Sequence, residues 1–200
     1  MKGETENQTW DLIGQYFLKD LSICDKLIKV FENSKDKTLG KSGYGYNKKL
    51  KDSTDLSLFT EQAYNSIPEI KLYFDELGLM IYEYKKKYKY CDKNIAEWRI
   101  ENNFNIQKYK PTQGYHIWHS ERGNVNSSNR HLVYMTYLND VKKGGETEWY
   151  YQNLKIKPKK GLTVIWSADW TFTHKGHTTI DENKYIITGW YELKRWTKSY

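Results

Sequence analysis

Apolar positions in the first half of the chain recur at helical spacing. The segment SICDKLIKVFENS carries an apolar stripe that predicts an amphipathic helix, and Ser22 with Asp25 predicts a cap at its start. A longer stripe after Pro68 repeats every three or four residues: Ile70, Phe74, Leu77, Ile81, Tyr84 and Tyr88. Ser66 and Glu69 predict a capping box for this second helix, with Pro68 in its first turn, and the run KKKYKYCDK ends it.

A polar, glycine-rich stretch separates the two predicted helices. Residues 34–53 read SKDKTLGKSGYGYNKKLKDS. Three glycines alternate there with two tyrosines: Gly40, Gly43, Tyr44, Gly45 and Tyr46. Glycine at this density breaks regular structure, so the stretch predicts a mobile loop, called the Gly/Tyr loop below.

After Trp98, short segments rich in β-branched and aromatic residues alternate with turn signals. The candidate strands are FNIQKY, GYHIWH, HLVYMTYL, ETEWYY, LTVIW and KYIITGWYEL, and breaks such as KPTQG and NDVKKGG separate them. Strands at this spacing are typical of a sandwich, a jelly roll or a barrel. We therefore predict a mainly β protein with N-terminal helices. We expect one domain of residues 1–200, in which helices of residues 1–97 support a β half of residues 98–195.

Composition favours a folded protein in a reducing compartment. A chain of 200 residues suits one domain with a sizeable core, and its 16% aromatic residues exclude a disordered chain despite a mean hydropathy of −0.89. Two cysteines, Cys24 and Cys91, exclude a disulfide framework and a cysteine-rich zinc module. The chain shows no signal-peptide pattern and no stretch of about 20 apolar residues, which predicts a cytoplasmic protein without a membrane span.

The chain carries a formal charge of +7 at pH 7, from 32 basic and 25 acidic residues. Few of the basic residues are arginines: Arg99, Arg122, Arg130 and Arg195. Arginine rather than lysine dominates the bidentate recognition of bases. We therefore expect a solvated, lysine-rich surface and no nucleic-acid partner.

The candidate chemistry begins in the segment YHIWHSE. Because side chains alternate along a strand, His119 and Glu121 point to one face and His116 to the other. Non-haem Fe(II) is held by two imidazoles and one carboxylate, which leaves positions for co-substrate and O2. His119 and Glu121 would supply two of these ligands, and His174 or His177 the third. A surface ion pair is the alternative for the His-x-Glu pair.

Lys184 follows His174 by ten residues and opens the segment KYIITGWYEL. At the mouth of a jelly roll, its ammonium group would pair with the free end of a dicarboxylate that chelates the metal. The alternative is a strand-edge charge that keeps the sheet from pairing with a neighbour.

Several sequence elements follow one another in a familiar order: YHIWHSE, TYLNDV, GGETEW, GLTVIW, His174 and Lys184-Tyr185, before ITGWYEL. With this order and spacing, the stretch from Asn103 to Leu193 resembles the 2-oxoglutarate and Fe(II)-dependent dioxygenases, specifically the prolyl 4-hydroxylase-like branch. The segment KKLKDSTDLSL also resembles this branch. The resemblance implies a double-stranded β-helix, that is, a cupin-like jelly roll. The short chain and its Lys, Asn, Ile and Tyr bias are similar to bacterial and phage-encoded members, and a phage enzyme would act in the host cytoplasm.

The resemblance also implies roles for seven residues. The implied iron ligands are His119, Glu121 and His174. The implied residues of the 2-oxoglutarate pocket are Lys184, Tyr137, Thr147 and Tyr115. Lys184 and Tyr137 would bind the distal carboxylate, and the other two would line the pocket. The sequence departs from the family pattern at Glu121, where Asp is usual, and at Tyr115, which stands four rather than three residues before His119.

The remaining histidines and the tryptophans are expected to be structural. His116 and His131 suit packing or surface positions. His177 ranks behind His174 only because His174 has the ten-residue spacing to Lys184. Large rings dominate protein cores, which predicts core positions for four tryptophans: Trp149, Trp166, Trp170 and Trp190.

These observations lead us to expect an enzyme with Fe(II), 2-oxoglutarate and O2, and ascorbate as an optional cofactor, that hydroxylates a C–H bond and releases succinate and CO2. The branch suggests a peptidyl proline in a peptide or protein as the substrate. A free amino acid or other small molecule, a nucleobase, and a non-catalytic jelly-roll binding module are the alternatives. Two loops, residues 39–47 and 122–130, are expected to close as lids, with ordinary surface loops as the alternative.

Overall fold

The computed structural model describes residues 12–43 and 45–194. Its α-helices are α1 (Ser22–Asn33), α2 (Thr60–Ser66) and α3 (Pro68–Lys87). Its strands are β1 (Gly14–Phe17), β2 (Thr38–Leu39), β3 (Thr54–Phe59), β4 (Trp98–Tyr109), β5 (Tyr115–His119), β6 (Arg130–Tyr137), β7 (Thr147–Trp149), β8 (Leu154–Ile156), β9 (Leu162–Ser167), β10 (His174–Gly176) and β11 (Lys184–Leu193). Each of the six segments predicted as strands contributes to one of them.

The strands form two antiparallel sheets. The larger sheet has the order β1-β9-β6-β11-β4-β3-β2, and the smaller has the order β5-β10-β7-β8. Strands that are distant in sequence therefore lie side by side, as in the wound topology of a jelly roll. The prediction of a mainly β protein with N-terminal helices and a double-stranded β-helix is confirmed.

The larger sheet separates two apolar cores. Along β6, Leu132 and Tyr134 pack with the helices, whereas Val133, Met135 and Tyr137 pack between the two sheets. This division follows from the two-residue period of a strand. The helices thus cover one face of the larger sheet, and its other face meets the smaller sheet, where the candidate site lies.

Both predicted helix caps are wrong, although both helices exist. The Ser22 backbone N–H donates to Asp20 Oδ1 at 2.9 Å, and the Asp25 carboxylate instead accepts hydrogen bonds from Lys160 Nζ at 2.7 Å. Ser66 ends α2, and its hydroxyl donates to the Gln62 carbonyl at 2.7 Å. Asp25 thus binds a residue distant in sequence, and Ser66 binds the preceding turn of α2 instead of the start of α3. Pro68 does occupy the first turn of α3, as predicted.

The first half of the chain is less helical than predicted. It contributes β1, which pairs with β9, and β3, which pairs with β4, so residues before 98 extend the larger sheet. A two-residue strand, β2, lies inside the predicted Gly/Tyr loop. Tyr44 of that loop and Arg195 lie outside the described residues. Among the helices of residues 12–43 and 45–194, none has the length and apolar character needed to cross a membrane.

Candidate active site

A cavity of about 1350 Å³ opens between the two sheets. Both sheets line it, for example with Met135 and Ile186 from the larger and His119 and His174 from the smaller. Strand β11 contributes a whole wall through alternate residues: Lys184, Ile186, Thr188 and Trp190. The cavity therefore collects most of the residues that the sequence marked as functional.

Three potential metal ligands converge at one end of the cavity. One ligand atom each from His119, Glu121 and His174 lies within 4.8 Å of the other two. Glu121 Oε1 is 3.6 Å from His119 Nε2 and 3.5 Å from His174 Nε2. Strands β5 and β10 create this arrangement, because their antiparallel pairing sets His174 directly opposite His119. The structure groups His174, and not His177, with the His-x-Glu pair.

The backbone orients both imidazoles for metal binding. His119 Nδ1 lies 3.1 Å from the Ile117 carbonyl, and His174 Nδ1 lies 2.9 Å from the Phe172 carbonyl. A carbonyl only accepts hydrogen bonds, so each Nδ1 carries the proton in the neutral ring, and each Nε2 presents a lone pair. Two such lone pairs facing a carboxylate oxygen repel one another unless a cation lies between them. The donor set therefore fits a divalent metal ion, and two imidazoles with one carboxylate suit Fe(II).

Burial shapes the charge states of this cluster. Burial, reinforced by the neighbouring His174, lowers the pKa of His119, which keeps its imidazole neutral. Burial would raise the pKa of Glu121, but attraction to His119 and His174 in their protonated forms outweighs burial and holds that pKa well below its usual range, as a bound cation would. Neutral imidazoles and an ionised carboxylate are the forms that bind metals.

Aromatic rings fix the two histidines in place. The Tyr115 ring stacks on His119 at a centroid distance of 3.6 Å, so this tyrosine lines the cavity beside the ligand cluster. Trp166 and Trp149 flank His174 at 5.1 and 6.0 Å. Both tryptophans are buried, as predicted, whereas the predicted core position of Trp170 is wrong, because that side chain is 64% exposed. Packed rings restrict the rotamers of the ligands, which is how a site holds its geometry.

Trp190 has a role that the sequence did not indicate. Its indole N–H donates to Glu121 Oε2 at 3.0 Å, and it lines the cavity instead of lying in the core. The Arg130 guanidinium stacks on Trp190, 3.6 Å from the ring centroid, and lies 3.5 Å from Glu121 Oε2. Arg130 also forms an ion pair with Glu101 at 3.0 Å. Glu121 lies beyond the end of β5, and its longer side chain presents one oxygen to the histidines and the other to Trp190 and Arg130.

Removing this indole donor is expected to weaken metal binding. Trp190→Phe keeps a ring beneath Arg130 but leaves Glu121 Oε2 without the indole hydrogen bond. Loss of such a supporting partner typically costs about 10- to 100-fold in metal affinity. Anaerobic titration with Fe(II), or with Mn(II) as an inert substitute, measures the change. Trp170→Phe is the matched control, because Trp170 is 64% exposed. Equal affinities in both variants would contradict a role for Trp190 in orienting Glu121.

Lys184 is a buried cation without a carboxylate partner. It is 3% exposed, and its ammonium group donates to the Gly145 carbonyl at 3.0 Å. No described Asp or Glu side chain lies within 4.0 Å of its Nζ. Strand β11 lies between β6 and β4, so a role as an edge charge is excluded. Burial lowers the pKa of Lys184 to about 8, with Glu146 opposing the shift. A buried, unpaired ammonium group that lines a cavity suits an anionic ligand.

Tyr109 beside Lys184 was missed by the sequence analysis. The two residues face each other in the pairing of β4 with β11, and Lys184 Nζ lies 4.7 Å from the Tyr109 ring centroid. The Tyr109 hydroxyl donates to Gln107, and Gln107 donates to the buried Asp55–Lys51 ion pair. This buried polar network lines the cavity next to Lys184. Only the pairing of two strands about 75 residues apart brings these groups together, so no local motif could reveal them.

Tyr137 lies behind the cavity wall instead of in it. It is fully buried, and its hydroxyl donates to Thr147 Oγ1 at 2.6 Å. Thr147 does line the cavity, as the family resemblance implies. Because its hydroxyl proton is donated to Thr147, Tyr137 supports the pocket wall in this structure. Direct binding of a carboxylate by Tyr137 stays a prediction.

The remaining histidines lie away from the ligand cluster. His177 Nε2 is 2.6 Å from Glu148 Oε2, His116 is exposed, and His131 Nε2 contacts the Cys91 carbonyl at 2.7 Å. Their positions agree with the structural roles expected of them.

Both predicted lid loops border the cavity. Leu39 and Gly43 line it from the Gly/Tyr loop, and Asn124 and Val125 line it from the loop after Glu121. The two loops approach each other so closely that a Cβ atom on Gly43 would lie 3.7 Å from Asn124 Nδ2. Their placement suits lids, and closure on substrate stays a prediction.

A jelly roll with two imidazoles, one carboxylate and a buried lysine around a cavity defines the class of non-haem iron oxygenases. Residues 104–192 match the family model described as 2OG-Fe(II) oxygenase superfamily, so this part of the chain is a 2OG-Fe(II) oxygenase. Its cofactor is Fe(II), and its co-substrates are 2-oxoglutarate and O2. No curated protein matches the chain.

Solved structures of prolyl hydroxylases share the fold. The viral collagen prolyl hydroxylase of Paramecium Bursaria Chlorella virus-1, in its 2OG complex, is 20% identical with a TM-score of 0.66, over 92% of this chain and 98% of that one. A Pseudomonas putida prolyl-4-hydroxylase is 12% identical with a TM-score of 0.65, over 90% and 92%. A Trichoplax adhaerens prolyl hydroxylase, in complex with a hypoxia inducible factor peptide fragment, is 16% identical with a TM-score of 0.69, over 90% and 83%.

Proposed function

We propose that this oxygenase hydroxylates a proline residue within a peptide or protein. The observation that carries the proposal is the size of the cavity. At about 1350 Å³ it exceeds the roughly 300–1,000 Å³ of pockets that enclose small ligands, so space remains once 2-oxoglutarate is bound. The structural likeness to prolyl hydroxylases, one of them in complex with a peptide, supports a peptide as the occupant of that space.

The proposed roles divide the site into two ends. His119, Glu121 and His174 hold Fe(II), with Glu121 aligned by Trp190. Lys184 binds the distal carboxylate of 2-oxoglutarate, because it supplies a buried charge with no carboxylate of its own. Holding both ends of the co-substrate fixes its orientation relative to the ligand cluster.

Fe(II) supplies the oxidising chemistry when bound: 2-oxoglutarate and O2 are consumed, one oxygen atom enters the C–H bond as a hydroxyl, and the other enters succinate as CO2 leaves. The protein contributes geometry and protection. The cavity walls from Tyr115, Trp166 and Met135 limit the access of water to the reacting end. The buried Lys184 ammonium group favours the co-substrate over uncharged ligands.

Succinate release is the direct test of this function. Fe(II), 2-oxoglutarate and O2 are supplied with a proline-containing peptide, with the same peptide carrying Ala for Pro, or with free proline. We expect the proline peptide to stimulate succinate release and to gain one oxygen atom by mass spectrometry, whereas the alanine peptide does neither. Stimulation by free proline alone would replace the peptide with a small-molecule substrate. If no substrate stimulates turnover and 2-oxoglutarate is not consumed, the catalytic assignment is wrong.

A further inference from the structure

A row of four exposed aromatic rings begins at the rim of the cavity. Trp118, Tyr150, Tyr151 and Trp170 follow one another with centroid distances of 5.2, 5.2 and 5.7 Å. Tyr150, Tyr151 and Trp170 are 60%, 60% and 64% exposed. Single exposed rings are common on protein surfaces, but a contiguous exposed apolar patch marks an interaction site. We call this row the aromatic ridge.

The turns that carry the ridge are held firmly. The Tyr150 N–H donates to the Thr173 carbonyl at 2.9 Å, and the Gln152 side chain donates to the Thr171 carbonyl at 3.0 Å. These bonds tie the turn after β7 to the 3-10 turn Trp170–Phe172. Rings that are fixed before binding lose little conformational freedom when a partner docks, which favours affinity.

The ridge is continuous with the candidate active site. Trp118 and Thr173 both line the cavity, and each directly precedes one of the candidate iron ligands, His119 and His174. Strand β5 is the edge strand of the smaller sheet, and its alternation directs His119 into the cavity while Trp118 lies at the rim, 37% exposed. A chain that leaves the cavity past β5 would therefore meet Trp118 first and then the other rings.

The cations beside the ridge lie close to carboxylates, although Lys175 and Lys155 share one of them, Glu148. Lys175 lies 4.2 Å from the Trp118 ring centroid, and its Nζ is 3.6 Å from Glu148 Oε2. At the other end, Arg122 pairs with Asp169 at 2.6 Å. A single-stranded nucleic acid would need cations available for its phosphates, and these cations have carboxylate partners. The ridge thus presents ring faces and tyrosine hydroxyls to a partner of little charge.

We propose that the aromatic ridge binds the segment of a peptide substrate that flanks the reacting residue, and that this segment is extended and rich in proline. Proline-rich segments form a polyproline II helix, which docks on rows of aromatic rings with a small entropy cost. The ridge is at most about 16 Å long by its three centroid distances, so at about 3.1 Å per residue it would hold about five residues. The proposal rests on the proposed function, because it requires a peptide in the cavity.

Peptide length and two double variants test the proposal. The peptides are repeats of Ala-Pro-Ser with 3 or 15 residues, and binding is measured by competition against a fluorescein-labelled 15-residue peptide. The ridge variant is Tyr150→Ser with Trp170→Ser. The matched control is Tyr82→Ser with Tyr90→Ser, because both rings are exposed on the helical side, where a lysine rather than another ring covers each.

We expect the long peptide to bind the unaltered protein at least about tenfold more tightly than the short one. The ridge variant should lose this advantage while its affinity for the short peptide and its 2-oxoglutarate turnover without peptide stay unchanged. The control variant should behave like the unaltered protein. Equal binding of the long peptide by the ridge variant and the unaltered protein would overturn the proposal.

Two other occupants of the aromatic ridge would give results different from those expected for a peptide. A dimer in sedimentation that Trp170→Ser dissociates would assign the ridge to a second copy of the chain. Binding of oligothymidylate that the ridge variant loses would assign it to nucleic acid. Either result would overturn the proposal, while peptide-stimulated succinate release would still support the proposed function. Failure of every peptide to bind the unaltered protein or to stimulate release would overturn both.

Discussion

His174→Ala is expected to abolish Fe(II) retention and turnover together, whereas His177→Ala should preserve both. The two residues are three positions apart, yet only His174 Nε2 lies beside Glu121, at 3.5 Å. His177 Nε2 instead lies 2.6 Å from Glu148. Losing one of three protein ligands leaves two, which is too few to hold the metal against solvent. Anaerobic metal titration and succinate release measure the two effects.

His177→Ala serves as the matched control, because it removes an imidazole next to β10 without removing a ligand of the cluster. Its circular dichroism and thermal transition, compared with those of His174→Ala, separate misfolding from loss of the metal. His119→Ala should match His174→Ala, since its imidazole belongs to the same ligand cluster. Normal turnover in His174→Ala with an inactive His177→Ala would move the third ligand to His177.

Lys184→Ala is expected to raise the KM for 2-oxoglutarate by roughly 30- to 1,000-fold, while Fe(II) affinity stays nearly unchanged. The buried ammonium group would otherwise form a charge-assisted pair with the distal carboxylate, and losing such a pair costs about 2–4 kcal/mol. Steady-state kinetics with varied 2-oxoglutarate measure the change. Lys86→Ala, which removes an exposed lysine on α3, is the control. An unchanged KM in Lys184→Ala would remove this residue from the co-substrate site.

The pH dependence of the same KM provides a second readout. Burial lowers the pKa of Lys184 to about 8, so the free site is mostly charged at pH 7 and mostly neutral at pH 9. The affinity for a carboxylate is therefore fully present below about pH 7 and falls as the pH rises through 8, and KM should rise accordingly. Lys184→Arg keeps its charge throughout this range. This variant should show a flat profile, and a rise equal to that of the unaltered protein would assign the pH effect to another group.

The fold could be predicted wherever a strand carries its own pattern. The six strand segments after Trp98 are marked by β-branched residues and by turns at both ends, and each appears in the structure. Strand β1, with the sequence GQYF, is too short and mixed for such a signal, and its place follows from its pairing with β9. The predicted cap of α1 failed for a related reason, since Asp25 binds Lys160, 135 residues further along the chain.

The candidate site, like the fold, could be predicted only where a local sequence pattern marks its residues. The alternation of β5 predicted that His119 and Glu121 share a face, and the spacing to Lys184 favoured His174. Tyr109 and Trp190 were not found, because their roles depend on which strand lies opposite and on where Glu121 turns after β5. Sequence periodicity predicts the face on which a side chain lies, whereas its partner across the cavity is determined by the assembled fold.

The cavity wall formed by β11 has a consequence for how this chain tolerates changes in length. One strand carries Lys184 at one end and Trp190, the partner of Glu121, at the other, and both point into the cavity. Inserting or deleting one residue between them would turn one of the two side chains to the opposite face. Natural length variation among homologues should therefore be absent from residues 184–190 and concentrated in turns such as residues 150–153, which can lengthen without changing the register of either sheet.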